Sequence, residues 1–277
     1  MADRVVFTDL DGTLLDARTY SWRPAEAALD RLARLGVPVI LTSSKTRVEI
    51  EEWRRRLGNR EVFVSENGGG VYFPEACAAR APANAEPWDG YRRIALGTPY
   101  PAVREALVEM RRETGLRLLG FGDMTAEEVE LCTGLGREDA ERAREREFDE
   151  PFLWDAMDDA VDESRVREAA QARGLRVSRG GRFFHLHGAH DKGACVRVVA
   201  AAYGGAQTIG LGDSLNDLDL LSAVARPAVV ARPDGSHERE MRRALPRAHF
   251  AHGAGPVGFA EVIELWFGGE EGNGRPG

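Results

Sequence analysis

Asp9 and Asp11 stand two residues apart, directly after the short apolar run RVVFT at 4–8, and are followed by Gly12 and Thr13. Carboxylates at this spacing just beyond a buried strand can both approach one small hard cation, which suits Mg²⁺ with a phosphate as co-ligand. Gly12 allows a tight turn and Thr13 offers a donor, so both are expected to bind phosphate. A third carboxylate, Asp213, lies far along the chain in GDSLND at 212–217, with Asn216 and Asp217 beside it. Bringing Asp9, Asp11 and Asp213 together is costly unless a divalent ion neutralises them. These three are therefore the expected metal ligands, with Asn216 and Asp217 as their braces. The plain alternative for 213–217 is an acidic helix start that favours the helix dipole.

The cations are chosen unevenly. Of 37 basic residues 35 are arginine, and lysine occurs only at 45 and 192. A compact ammonium at two positions in an arginine-rich chain points to a need that a planar fork does not meet. Lys192, in DKG at 191–193, is expected to be catalytic, offsetting charge on the phosphate and on an attacking aspartate. Ser43, Ser44 and Lys45 follow a second apolar run and are expected to bind phosphate, although a Ser/Thr cluster there also suits a helix N-cap. Asn67 and Gly68, in SENGGG at 65–70, can offer an amide and bare backbone N–H groups to a substrate. Arg146, Gly181, Arg182 and His185 lie in segments that can supply cationic forks and hydroxyl-binding groups to a ligand. The six histidines show no convincing zinc spacing.

A scaffold that ends several strands side by side must position these groups. Apolar runs at 4–8, 37–41 and 61–65 alternate with helical patterns at 24–35 and 48–57, the rhythm of βαβ units and a parallel sheet. Ligands in such sheets sit outside the carboxyl ends of the strands, where all the polar clusters fall. An Ala/Pro-rich stretch at 77–89 reads as a linker. The rhythm then changes: a strand at 92–96, a helix at 99–114, a strand at 116–121, a charged helical stretch to 145, a helix at 162–173 and a hairpin at 175–187 make an α+β insert. After 187 the first pattern resumes, with helices at 193–203 and 218–224 and strands at 207–211 and 228–231. The expected organisation is a core of 1–81 and 188–267, an insert of 82–187 and a flexible tail of 268–277.

With 277 residues, 43% apolar and 30% charged, the chain has the composition of a soluble enzyme with a sizeable core. A net charge of −8 argues against a nucleic-acid partner. No apolar run reaches the roughly 18 residues of a membrane span, and the first strand is too short for a signal-peptide core. Three isolated cysteines, Cys77, Cys132 and Cys195, fit reducing cytoplasm. Oligomeric state is left open.

Taken in order, DLDGT at 9–13, Ser43, Lys192 and GDSLND at 212–217 resemble the four motifs of haloacid-dehalogenase superfamily phosphatases, over nearly the whole chain. An insert between the second and third motifs is similar to the C2-type cap of the Cof-like branch. Within that branch SSKTR at 43–47, SENGGG at 65–70, REFDEPF at 146–152 and GGRFFHLHG at 180–188 resemble the mannosyl-3-phosphoglycerate phosphatases. The resemblance implies an α/β, Rossmann-like core with a parallel sheet in the order 5-4-1-2-3, an inserted α+β C2-type cap acting as a lid, and Mg²⁺. It implies Asp9 as nucleophile and Asp11 as general acid and base. The substrate it implies is a phosphorylated sugar-glycerate, 2-O-(α-D-mannosyl)-3-phosphoglycerate, hydrolysed to mannosylglycerate and phosphate. A broader sugar-phosphate phosphatase, a phosphomannomutase and a non-catalytic phosphometabolite-binding regulator are the alternatives; the presence of both Asp9 and Asp11 goes against the last.

Overall fold

The computed structural model describes residues 2–154, 159–180 and 183–270. Its first strands are β1 (Arg4–Thr8), β2 (Val39–Thr42), β3 (Phe63–Ser65), β4 (Gly70–Pro74), β5 (Glu86–Trp88) and β6 (Tyr91–Ala95). Then come β7 (Leu118–Gly120), β8 (Asp149–Trp154), β9 (Arg176–Gly180) and β10 (Phe183–His187), and finally β11 (Gln207–Gly212), β12 (Arg226–Ala231) and β13 (His249–Ala254). They form two sheets, one of nine strands in the order β13-β12-β11-β1-β2-β3-β4-β6-β5 and one of four in the order β7-β8-β10-β9.

In the larger sheet the strands from β13 to β3 are parallel, while β4, β6 and β5 extend it antiparallel. The central strands read as continuous apolar runs because both faces are covered. Val6 packs with Leu32, Phe259 and Ile263 on one face, whereas its neighbours Val5 and Phe7 pack with Val64, Val196 and Val199 on the other. This period of two follows from alternating Cβ directions. The smaller sheet is antiparallel throughout. Helices Tyr100–Thr114 and Asp159–Gln171 cover one of its faces through Val103, Leu107, Val166, Phe152 and Leu186. A second cluster, Phe121, Met124, Val129 and Ala140, involves the helices Ala126–Thr133 and Arg137–Ala143. The architecture is an α/β core with an inserted α+β unit.

Several elements depart from the sequence reading. The stretch 77–89, read as a linker, contains β5, and 86–95, expected in the insert, pairs through β6 with β4 in the large sheet. Short, exposed β5 has no apolar alternation to announce it. The sheet is also wider than five strands, since β13 and the antiparallel strands flank the expected set. Of the segment 268–277, Glu270 is tied by an ion pair to Arg4, and 271–277 fall outside the described residues.

The insert is seated on the carboxyl end of the core. The buried Glu66 carboxylate accepts the backbone N–H groups of Glu147, Phe148 and Asp149 at 2.9, 2.7 and 2.8 Å. Glu147 in turn accepts from Arg47 Nε at 2.9 Å, Arg93 Nη1 at 2.8 Å and the Tyr72 hydroxyl at 2.9 Å, all core groups. Thr46 Oγ1 donates to the Arg142 carbonyl at 2.9 Å.

Candidate active site

Strand register places the motifs together. Thr8 is level with Leu211 of β11 and with Leu41 of β2, and Thr42 is level with Val64 of β3. The residues that leave these strands, Asp9, Ser43, Glu66 and Asp213, therefore emerge side by side at one edge of the sheet. Helix Lys192–Ala202 points its first turn at the same edge, capped by Asp191, whose Oδ1 accepts from Ala194 N at 2.7 Å.

Lys192 is buried and bridges two carboxylates, donating to Asp9 Oδ1 at 2.8 Å and Asp217 Oδ1 at 2.7 Å. Against the cost of burial, Asp217 and Asp9 hold its ammonium above the ordinary lysine value, so it is charged. Asp217 Oδ2 accepts Asp213 N at 3.0 Å and Ser214 N at 3.3 Å, which fixes the loop. Ligand atoms of Asp9, Asp213 and Asp217 all lie within 4.8 Å of one another. Burial pushes Asp9 well above the usual carboxylate range despite Lys192. Burial and then Asp217 push Asp213 up to about 7.

Three carboxylates with one ammonium among them form a negatively biased, oxygen-only donor set. Such a set fits a hard divalent cation such as Mg²⁺ and not a zinc site built on nitrogen or sulfur. The side chain of Asp11 is not in this cluster, in contrast to the sequence expectation. Its Oδ2 meets Lys45 Nζ at 2.9 Å, and its Oδ1 is buried without a hydrogen-bond partner among the described residues. The two lysines of the chain thus each hold one of the paired aspartates. Lys45, expected on phosphate, is buried between Asp11, Glu49 at 3.9 Å and the Tyr20 ring. Asp11 and Glu49 hold it above its ordinary value against the burial cost.

The turn 9–15 uses its own donors. Gly12 N bonds the Leu15 carbonyl at 2.9 Å, Thr13 N bonds the Leu10 carbonyl at 3.2 Å, and Thr13 Oγ1 donates to Asp213 Oδ1 at 3.2 Å. Gly12 and Thr13 thus shape the loop in this structure, and their N–H groups are engaged inside it. Gly12 has φ +80°, and a Cβ there would stand 2.8 Å from Asp213 Oδ2, so glycine is required twice over. Ser43 is buried, and its Oγ accepts Lys45 N at 3.3 Å, leaving the hydroxyl hydrogen to donate. Ser44 acts through its carbonyl, which receives Arg146 Nη1 at 3.0 Å.

Above this edge the insert contributes a second cluster. Asp149, on β8, is fully buried and meets His185 Nδ1 at 2.9 Å through Oδ2 and Arg146 Nη1 at 3.7 Å through Oδ1. Against its burial, His185 and Arg146 hold its carboxyl below the usual range. Arg146 Nε also bonds the Ala143 carbonyl at 2.9 Å, so this arginine is largely engaged by protein. Asn67 and Asn216 meet each other, Asn216 Nδ2 donating to Asn67 Oδ1 at 2.9 Å. Gly68 packs its Cα side on the chain at Asp191; a Cβ would lie 2.3 Å from that carbonyl oxygen. Gly181 and Arg182 lie outside the described residues. Sequence reasoning did not single out Glu66, Glu147 or Asp149. All three sit inside SENGGG and REFDEPF, and their value appears only when the two segments meet.

A family profile for haloacid dehalogenase-like hydrolases matches residues 6–79. A glucosyl-3-phosphoglycerate/mannosyl-3-phosphoglycerate phosphatase of Methanococcoides burtonii is 39% identical over 263 residues, 94% of this chain and 95% of that protein. The chain belongs to this phosphatase family. A mannosyl-3-phosphoglycerate phosphatase of Pyrococcus horikoshii is 32% identical, covering 82% of this chain and 90% of that one. Among solved structures, a Thermoplasma acidophilum protein superposes with a TM-score of 0.69 at 18% identity, over 96% of this chain and 99% of that one. The sucrose-phosphatase of Synechocystis reaches 0.61 at 14% identity, over 96% and 98%. These structural likenesses bear on the fold, a haloacid dehalogenase-like core carrying an inserted cap. Among the described residues no helix is long and apolar enough to cross a membrane.

Proposed function

We propose that this chain is a Mg²⁺-dependent phosphatase that hydrolyses glycosyl-3-phosphoglycerates to the glycosylglycerate and phosphate. The observation that carries the substrate is the near full-length relation to the M. burtonii phosphatase, whose name states both glucosyl and mannosyl substrates. The substrate reading therefore widens from mannose alone to both sugars.

Asp9 acts as nucleophile: Lys192 holds Oδ1, and Oδ2 is left to attack phosphorus and form an aspartyl-phosphate. Asp11 gives a proton to the leaving 3-oxygen and later takes one from the water that cleaves the acyl phosphate. Lys45 orients it through Oδ2. Asp9, Asp213 and the backbone carbonyl of Asp11 would hold the ion, with Asp217 and Asn216 bracing the loop. Bound there, Mg²⁺ supplies charge neutralisation for the phosphoryl oxygens. Ser43 and Lys192 face the phosphoryl group, and the insert, with His185, Arg146 and Arg182, recognises sugar and glycerate. We place the insert at 96–187 and read the strands β12-β11-β1-β2-β3 as the Rossmann-like 5-4-1-2-3 unit, in a cytoplasmic protein.

A phosphate-release screen over glucosyl- and mannosyl-3-phosphoglycerate, hexose phosphates and p-nitrophenyl phosphate tests this reading. A kcat/KM for the glycosyl-3-phosphoglycerates at least about 10²-fold above the hexose phosphates is expected, and equal values would return the chain to a general sugar-phosphate phosphatase.

A further inference from the structure

Asn67 was a candidate to present its amide to substrate, yet the structure engages both ends of that amide with protein. Its Nδ2 is directed at Asp149 Oδ2 at 3.4 Å, and its Oδ1 accepts Asn216 Nδ2 at 2.9 Å. The orientation is fixed by chemistry. An ionised Asp149 only accepts, so Asn67 must turn its NH₂ toward it, and its carbonyl then requires the NH₂ of Asn216. Asp149 belongs to the insert strand β8 and is itself tied to His185 of β10. Asn216 belongs to the loop whose Asp213 and Asp217 form the acidic cluster with Asp9. Asn67 belongs to neither; it sits 7% exposed in the core turn after β3, with φ 57°. A single side chain thus closes a continuous chain of hydrogen bonds, His185, Asp149, Asn67, Asn216, running from the underside of the insert to the acidic loop.

Resting on the proposed substrate reading, we infer that Asn67 is a positioning residue: it transmits the seating of the insert over a sugar-glycerate ligand to the loop 213–217. A ligand that engages His185 holds Asp149 and, through Asn67, holds Asn216 and the acidic loop in place for phosphoryl transfer. A small ester without sugar or carboxylate draws nothing from the insert and does not use this link.

The left-handed backbone permits two clean substitutions. Asn67→Gly removes the amide without backbone strain, and Asn67→Asp, also at home at positive φ, replaces the donor to Asp149 by a second carboxylate. Steady-state rates with mannosyl-3-phosphoglycerate and with p-nitrophenyl phosphate are compared for both, with melting temperature as a folding control. Both variants are expected to lose about tenfold in kcat on the sugar ester, with KM and the p-nitrophenyl phosphate rate held within about twofold. Asn67→Gly/Asn216→Ala is expected to be no slower on the sugar ester than Asn67→Gly alone, because the two amides act as one unit. Equal loss on both esters would make Asn67 a structural part of the catalytic loop. A raised KM at unchanged kcat would make it a substrate contact, and unchanged rates would make it idle; each overturns the inference. Wild-type failure on glycosyl-3-phosphoglycerates with turnover of another sugar phosphate would sink only the substrate reading, and the Asn67 comparison is then made on that ester.

Discussion

The catalytic floor of the core and the underside of the insert face each other, yet they are built on different principles. On the floor each functional side chain leaves the end of a parallel strand or the first turn of a helix, and the cations are the chain's two lysines, one on Asp9 and one on Asp11. In the insert the central charge is a carboxylate, Asp149, surrounded by Arg146, His185 and Asn67 from three separate segments. The floor is a preformed electrostatic site whose charge balance calls for a cation. The insert is a paired polar network in which Asp149 meets His185 Nδ1 and Arg146 Nη1. On the proposed reading, one region is organised for phosphoryl chemistry and the other for choosing what carries the phosphate.

The sharpest way to break this division is to disable the floor. Chelation with EDTA is expected to abolish turnover of every ester, with recovery on adding Mg²⁺; Ca²⁺ restores little, because its looser coordination misplaces the nucleophile. Asp9→Asn is expected to reduce kcat at least about 10³-fold on both mannosyl-3-phosphoglycerate and p-nitrophenyl phosphate, in single-turnover assays of folded protein. Next in size is Lys192→Ala, which removes the bridge between two buried carboxylates. A loss of roughly 10² in kcat on both esters is expected, and Lys192→Arg is not expected to restore it, since a planar fork does not fit between Asp9 and Asp217. A Lys192→Ala enzyme with unaltered kcat would remove this residue from the mechanism.

Smaller effects sharpen the insert side. His185→Ala should lower kcat/KM about tenfold for the sugar ester and leave p-nitrophenyl phosphate nearly unchanged. Parallel losses would mean that His185 merely supports Asp149. Arg146→Ala is a poorer probe, because it also releases the Ser44 carbonyl and leaves Asp149 short of a cation. A last effect falls on stability and not on turnover; it concerns His187, whose Nδ1 donates to the Gly188 carbonyl at 2.8 Å while Nε2 accepts from Ser178 Oγ at 3.1 Å. Burial lowers its pKa to about 4 from an ordinary 6.5, so the folded protein prefers it neutral. Its stabilising contribution is present above 6.5 and is lost as pH falls from there through 4. Denaturant unfolding at pH 7 and pH 5 should show wild type losing about 2 kcal/mol more than His187→Gln. An equal loss in both would assign the acid sensitivity elsewhere.

The same contrast explains what could be read from sequence. Asp9, Ser43, Lys192 and Asp213 were legible because each follows a β-strand or opens a helix inside a contiguous motif, so local pattern alone places it. The roles of Gly12, Thr13 and Lys45 were harder to read. Whether a loop donor faces phosphate or closes its own turn depends on partners such as Leu15 and Asp11, and on how the loop folds back. Strand β5 was missed because a short exposed edge carries no hydrophobic alternation. Glu66 and Asp149 were missed for a different reason: buried carboxylates become recognisable only when their donors arrive from elsewhere in the chain.

In the proposed mechanism catalysis on the floor is covalent, with Asp9 carrying the phosphoryl group. Its most direct test is acid quenching of the enzyme during turnover of mannosyl-3-phosphoglycerate, followed by borohydride reduction and peptide mass spectrometry. An acyl phosphate on Asp9 is reduced to homoserine, so the expected result is that change at position 9, absent without substrate. Active enzyme that shows the change at no aspartate, or at another one, would rule out Asp9 as the nucleophile.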